Sequence, residues 1–144
     1  MFHEIDRRQH MSAIAVIQEV IKPLFPGLMG MQLTEVNPER IVASMDVRPE
    51  LCTVGEILHG GALMAFADTL GGIATVVNLE RGARTTTIES KTNFLGAMPV
   101  GTRVIGECTP LHRGKTTMVW QTLVKSENGK LCAVVIQTQM VLPA

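Results

Sequence analysis

The chain has 144 residues, 46% hydrophobic and 18% charged, which fits one globular domain with a substantial core and not a disordered chain. Thirteen Lys and Arg against thirteen Asp and Glu leave no net charge, so no broad basic field for nucleic acid or an anionic membrane is expected. Cys52, Cys108 and Cys132 are odd in number and widely spaced, without a CxxC or a nearby His pair. That argues against a disulfide framework or a zinc site, predicts no bound metal, and suits a reducing cytoplasm.

The first residues, Met1-Phe2-His3-Glu4-Ile5-Asp6, carry acids where an export signal needs bases and an apolar run, so none is expected. Ser12 can cap a helix over about residues 12–22, in which Ile14, Ile17, Val20 and Ile21 recur at helical spacing. Pro23 and Pro26-Gly27 end it. Met31 to Val36 and Arg40 to Val47 read as strands joined by the turn Asn37-Pro38-Glu39. Pro49 to Glu56 reads as a loop leading to His59.

From Gly61 to Leu79 the chain is nearly apolar and approaches the length of a membrane span. Asp68, three glycines and many small residues instead predict a buried central helix over about residues 61–79, stopped by Glu80-Arg81-Gly82. No membrane association is expected. Beyond it the period changes to that of strands: Thr85 to Leu95, Thr102 to Pro110, Thr116 to Lys125 and Leu131 to Leu142. Pro99-Val100-Gly101, Arg113-Gly114-Lys115 and the hairpin signal Asn128-Gly129 separate them. Strict alternation places Thr85, Thr87 and Glu89 on one face of the first of these strands, and Thr86, Ile88 and Ser90 on the other. The order predicts an α+β fold, an antiparallel sheet wrapped around one long helix, in a single domain spanning 1–144. A helix apolar on all faces, inside a sheet with free edges, predicts a homodimer.

Asp68 is the only charged residue from Gly60 to Leu79. A carboxylate in such surroundings is costly to desolvate and is normally paired or put to use. It reads as a base or nucleophile, or as a structural group bonding Thr or backbone groups across an interface. Gly60 and Gly61 open the helix, where unpaired N–H groups and the helix dipole favour developing negative charge; the bland reading is a tight strand-to-helix turn. His59 reads as a ligand-orienting or a structural histidine. Arg113, Gly114 and Lys115 form a cationic turn, able to meet a phosphate or simply solvated. GxGxxG, P-loop, GxSxG and HExxH motifs are absent from the sequence, which removes the main support for dinucleotide, Walker, serine-hydrolase and zincin readings.

His59-Gly60-Gly61 followed by Ala67-Asp68-Thr69, then Thr87-Ile88-Glu89, Gly101-Thr102, Arg113-Gly114-Lys115 and Gly129-Lys130-Leu131 with Ala133, resembles the hotdog-fold acyl-CoA thioesterases of the phenylacetic-acid-degradation and 4-hydroxybenzoyl-CoA thioesterase type. The similarity covers roughly Met31 to Leu142. It implies hydrolysis of a fatty- or aryl-acyl-CoA to free acid and CoA, with no cofactor beyond the CoA of the substrate. It also implies sites shared between two subunits and dimers paired into a tetramer. Residue by residue, it makes Asp68 the nucleophile or general base and the Gly60 N–H the donor to the thioester carbonyl. His59 becomes the group that orients the thioester, and Thr87 a hydroxyl that places the attacking water. Gly61 lies with them, and Arg113 and Lys115, flanking Gly114, face the CoA nucleotide. Two positions depart from the family pattern. Thr53 stands where many relatives have Asn, and Glu56 where a small residue is common, a possible second carboxylate. A hotdog protein that binds an acyl thioester with little turnover is the alternative, and a hydratase or dehydratase is a third class.

Overall fold

The structure, a computed structural model, describes residues 13–144. The Ser12 cap lies outside the described residues. Helix α1, described over residues 13–21, turns Ile14, Ile17 and Ile21 onto the core. Its Gln18 reaches the backbone of the first strand, donating to the Met31 carbonyl at 2.8 Å and accepting from the Leu33 N–H at 2.9 Å. Pro23 and Pro26 break the helix as expected, leaving the single turn α2, Phe25–Leu28.

The strands are β1 Gln32–Asn37, β2 Arg40–Asp46, β5 Arg84–Phe94, β6 Arg103–Arg113, β7 Thr117–Ser126 and β8 Leu131–Leu142. They form one antiparallel six-stranded sheet in the order β1-β2-β6-β7-β8-β5. Between β2 and the long helix, the segment expected to be a loop is more ordered. A short 3₁₀ turn, Pro49–Leu51, leads into a small hairpin of β3, Cys52–Thr53, and β4, Ile57–Leu58.

Helix α3, Gly60–Val76, packs against the sheet, touching β2, β5, β6, β7 and β8. Leu63, Phe66 and Leu70 are wholly buried and meet a core that includes Ile41, Met45, Val104 and Val135. Each such side chain contributes about 1.5–3 kcal/mol of burial. Gly106 in β6 lets the helix lie this close, since a Cβ there would overlap Leu70 and Phe66. Trp120 of β7 is fully buried and donates its indole N–H to Thr75 Oγ1 of α3 at 2.8 Å, while Thr75 donates back to the Gly71 carbonyl. The sheet wrapped around a central helix is the hotdog arrangement expected.

Several boundaries and one face differ from expectation: β6 runs past Pro110 through a bulge to Arg113, so Arg113 ends a strand instead of opening a turn, and β5 and β7 are each offset by one residue. The central helix starts one residue earlier and ends at Val76, not near Leu79. The stop is tertiary: Asn78 donates to the Ala74 carbonyl and to the Pro38 carbonyl in the β1–β2 turn. In β5 the pairing register shifts between Thr87 and Glu89. This bulge resets the alternation, so that Ser90 rather than Glu89 shares the inward face of Thr87. Among the described residues, no helix is long and apolar enough to cross a membrane.

Candidate active site

Asp68 lies midway along α3, half-buried, on the side of the helix that faces β5 and β8. Thr87 of β5 donates its hydroxyl to Asp68 Oδ1 at 2.6 Å. Gln137 of β8 donates its amide to the same Oδ1 at 3.2 Å and to the Asp68 carbonyl at 3.3 Å. Behind Thr87, Gln139 donates to its hydroxyl oxygen at 2.6 Å and accepts from Thr85 at 3.0 Å. Gly71, one turn along α3, leaves the space into which the Gln137 amide projects; a Cβ there would overlap that amide. Asp68 opens onto a cleft of about 350 Å³ whose walls include Ile21, Ile73, Val76, Thr86 and Thr87. A carboxylate steadied on one oxygen, beside an apolar cleft, can take a proton from water or attack a carbonyl carbon.

The other candidate residues gather at the N-terminus of α3. The β3–β4 hairpin turns through Thr53–Glu56, closed by a bond from the Glu56 N–H to the Thr53 carbonyl at 3.2 Å. Gly55 and Glu56 both adopt positive φ there, and both Thr53 and Glu56 are exposed. His59 follows as the N-cap of α3, its Nδ1 accepting from the Gly61 N–H at 2.8 Å. Because Nδ1 is the acceptor, the neutral ring carries its proton on Nε2, free to donate outward. The Gly61 N–H is thereby used. The Gly60 N–H has no partner among the described residues, and it is the first amide of the helix dipole.

Eight residues separate Gly60 from Asp68, about 12 Å along the helix axis. Among the described residues no hydrogen bond links the two ends, and the cleft beside Asp68 includes neither His59 nor Gly60. Within one chain the two groups of candidate residues are therefore apart. The 113–115 turn lies apart from both. Arg113 is engaged with the β1–β2 turn, donating to Glu39 Oε1 at 2.7 Å and to the Pro38 carbonyl at 3.1 Å. Gly114 closes the β6–β7 hairpin by donating to the Thr117 carbonyl, and Lys115 is exposed. Cys108 is no candidate nucleophile: it is wholly buried, and that burial pushes its thiol up to about 11.

Gln137 and Gln139 were not singled out from the sequence. Their placement shows in the assembled sheet, where Ala133, Val135, Gln137 and Gln139 alternate on the inward face of β8 while Ile136 and Met140 face out.

One long central helix wrapped by an antiparallel sheet is the frame of the hotdog thioesterases. The model of the thioesterase superfamily matches residues 55–133, and the chain belongs to that family. It is 32% identical over 105 residues to the proofreading thioesterase EntH of Klebsiella pneumoniae, covering 72% of this chain and 75% of that one. It is 29% identical over 106 residues to the 1,4-dihydroxy-2-naphthoyl-CoA hydrolase of Escherichia coli, covering 74% of this chain and 77% of the relative. Among solved structures, a thioesterase of Haemophilus influenzae superposes with a TM-score of 0.85, at 26% identity and 90% coverage of each chain.

Proposed function

We propose that this enzyme hydrolyses an acyl- or aryl-CoA thioester to the free acid and CoA, with Asp68 as nucleophile or general base. The observation that carries the reading is the tethering of Asp68: Thr87 and Gln137 both hold Oδ1, leaving Oδ2 without a partner among the described residues. The oxygen of water ends on the carbonyl carbon, the carbon–sulfur bond breaks, and the departing CoA sulfur takes up a proton. Water is the only co-substrate the reaction needs. As base, Asp68 removes the proton of the attacking water; as nucleophile, it forms an anhydride that water then opens.

The oxyanion donor of the proposal is the Gly60 N–H, with His59 Nε2–H orienting the thioester nearby. Because Gly60 and Asp68 of one chain are about 12 Å apart, the proposed site takes Asp68 from one subunit of a homodimer and Gly60 from the other. Thr53 and Glu56 would border the same mouth, Glu56 as a second carboxylate. Lys115 and the Gly114 turn would meet the CoA phosphates, with Arg113 already neutralised in part by Glu39.

The direct test is thiol release from a panel containing benzoyl-CoA, phenylacetyl-CoA, octanoyl-CoA and palmitoyl-CoA. Turnover of at least one ester is expected. Tight binding of an ester without thiol release from any of the four would favour a carrier or sensor of acyl thioesters instead.

Assembly has its own test. Co-expression of Asp68→Asn and Gly60→Pro chains should restore about a quarter of wild-type turnover. Half the randomly mixed dimers are heterodimers, and each of those has one intact site out of two. Failure to recover activity in verified heterodimers would place the whole site within one subunit.

A further inference from the structure

We propose that Gln137 and Gln139 are positioning residues of the reaction, a buried amide pair that fixes Oδ1 of Asp68 so that Oδ2 alone reacts. The inference rests on the reading of Asp68 as the reacting carboxylate. Both glutamines sit on the inward face of β8 and are 1% exposed. A buried amide is unfavourable unless its groups are bonded, and apolar side chains of the same length would fill these two positions without that cost. Their bonds run almost wholly to the site. Gln137 donates to Asp68 alone, through side chain and backbone, and its Oε1 is buried without a partner among the described residues. The glycine at position 71, inside a helix, is what admits this amide. Three positions, Gln137, Gln139 and Gly71, therefore depart from what packing and helix propensity favour, and the bonds gained run to Asp68 directly from Gln137 and through Thr87 from Gln139.

The direction of each bond follows from the charge of the carboxylate. An ionised carboxylate only accepts, so Thr87 gives its single hydroxyl proton to Oδ1. The Thr87 oxygen then accepts from the Gln139 amide, and the Gln139 carbonyl is left to accept from Thr85. Gln139 thus prevents the Thr87 hydroxyl from turning away, and Gln137 supplies a second donor to the same oxygen. A carboxylate that can rotate about its last torsion exchanges its two oxygens; two donors on Oδ1 stop that exchange. Thr87 is accordingly a donor committed to Asp68.

The test replaces each glutamine separately by methionine, which keeps the length and removes the amide. Melting temperature, kcat and KM are measured for Gln137→Met, Gln139→Met and Asp68→Asn on the panel ester that the wild type hydrolyses fastest. In either glutamine variant kcat should fall on the order of 10²-fold, the scale of a misplaced reacting group, while KM stays near wild type. The melting temperature should be unchanged or higher in Gln137→Met, which removes a buried carbonyl oxygen without a partner, and at most slightly lower in Gln139→Met, which leaves Thr85 bonded to the Met140 carbonyl and Thr87 to Asp68. Either variant suffices should the other not fold. Wild-type kcat in a folded variant overturns the proposal, and so does a kcat loss matched by a comparable loss of thermal stability. Wild-type kcat in Asp68→Asn would instead overturn the assignment of Asp68 itself, and the positioning role with it.

Discussion

Asp68→Asn is expected to fold as the wild type does and to lose about 10²–10⁴-fold in kcat if Asp68 is a general base, and more if it is the nucleophile. The geometry makes this a clean substitution. Asparagine keeps an acceptor oxygen where Oδ1 receives Thr87 and Gln137, so its carboxamide nitrogen falls at the position of the uncommitted Oδ2. The tether survives and only the reactive oxygen changes. Substrate affinity should therefore shift little, the pattern of an interaction needed chiefly in the transition state. Thiol-release kinetics and a melting curve on one preparation decide it. Near-normal turnover in a folded protein would remove Asp68 from the chemistry and turn attention to Glu56.

Gly60→Pro should lower kcat by about 10²–10³-fold, the effect of deleting one oxyanion donor. Proline removes the N–H in question and nothing else the helix uses, because the first helical position has no intrahelical partner for that group. His59 has φ −63° and ψ 135°, the extended conformation that a residue before proline prefers. The new Cβ would meet the edge of the Phe94 ring at 3.1 Å, and that ring is 53% exposed and able to move. A Gly60→Ala control carries the same Cβ with the N–H intact and should retain most activity. Equal losses in the two variants would assign the effect to Phe94 and not to the amide.

The long helix and the six main strands were legible because each rests on a local pattern, and the same pattern is what singled out His59, Gly60 and Asp68 as candidates. The apolar run after His59 has one length and one charge, and β8 was delimited correctly by Asn128-Gly129 and the run of β-branched residues after it. What escaped was set by distant contacts. The end of α3 is bonded by Asn78 both locally, to Ala74, and to Pro38, forty residues away in the chain, and the second contact is not visible from the local sequence. The bulge after Thr87 is fixed by pairing with Gln139 and Thr138, so alternation alone put Glu89 on the wrong face. The amide pair was hidden for a related reason. Both faces of β8 carry apolar residues, so the phase of the strand, and with it the inward placement of Gln137 and Gln139, appears only when the sheet is assembled.

The contact between Trp120 and Thr75 gives the protein an intrinsic optical reporter. Trp120 is the only tryptophan, and the sequence contains no tyrosine, so near-ultraviolet emission comes essentially from one ring. That ring is sealed between β7 and α3 and tied to the helix two turns beyond Asp68. Its emission should stay blue-shifted while the helix remains docked, and move to the red when the helix lifts from the sheet. Every variant of the Asp68 cluster can thus be checked, in the same cuvette as the kinetic measurement, for whether lost turnover reflects altered chemistry or a displaced helix.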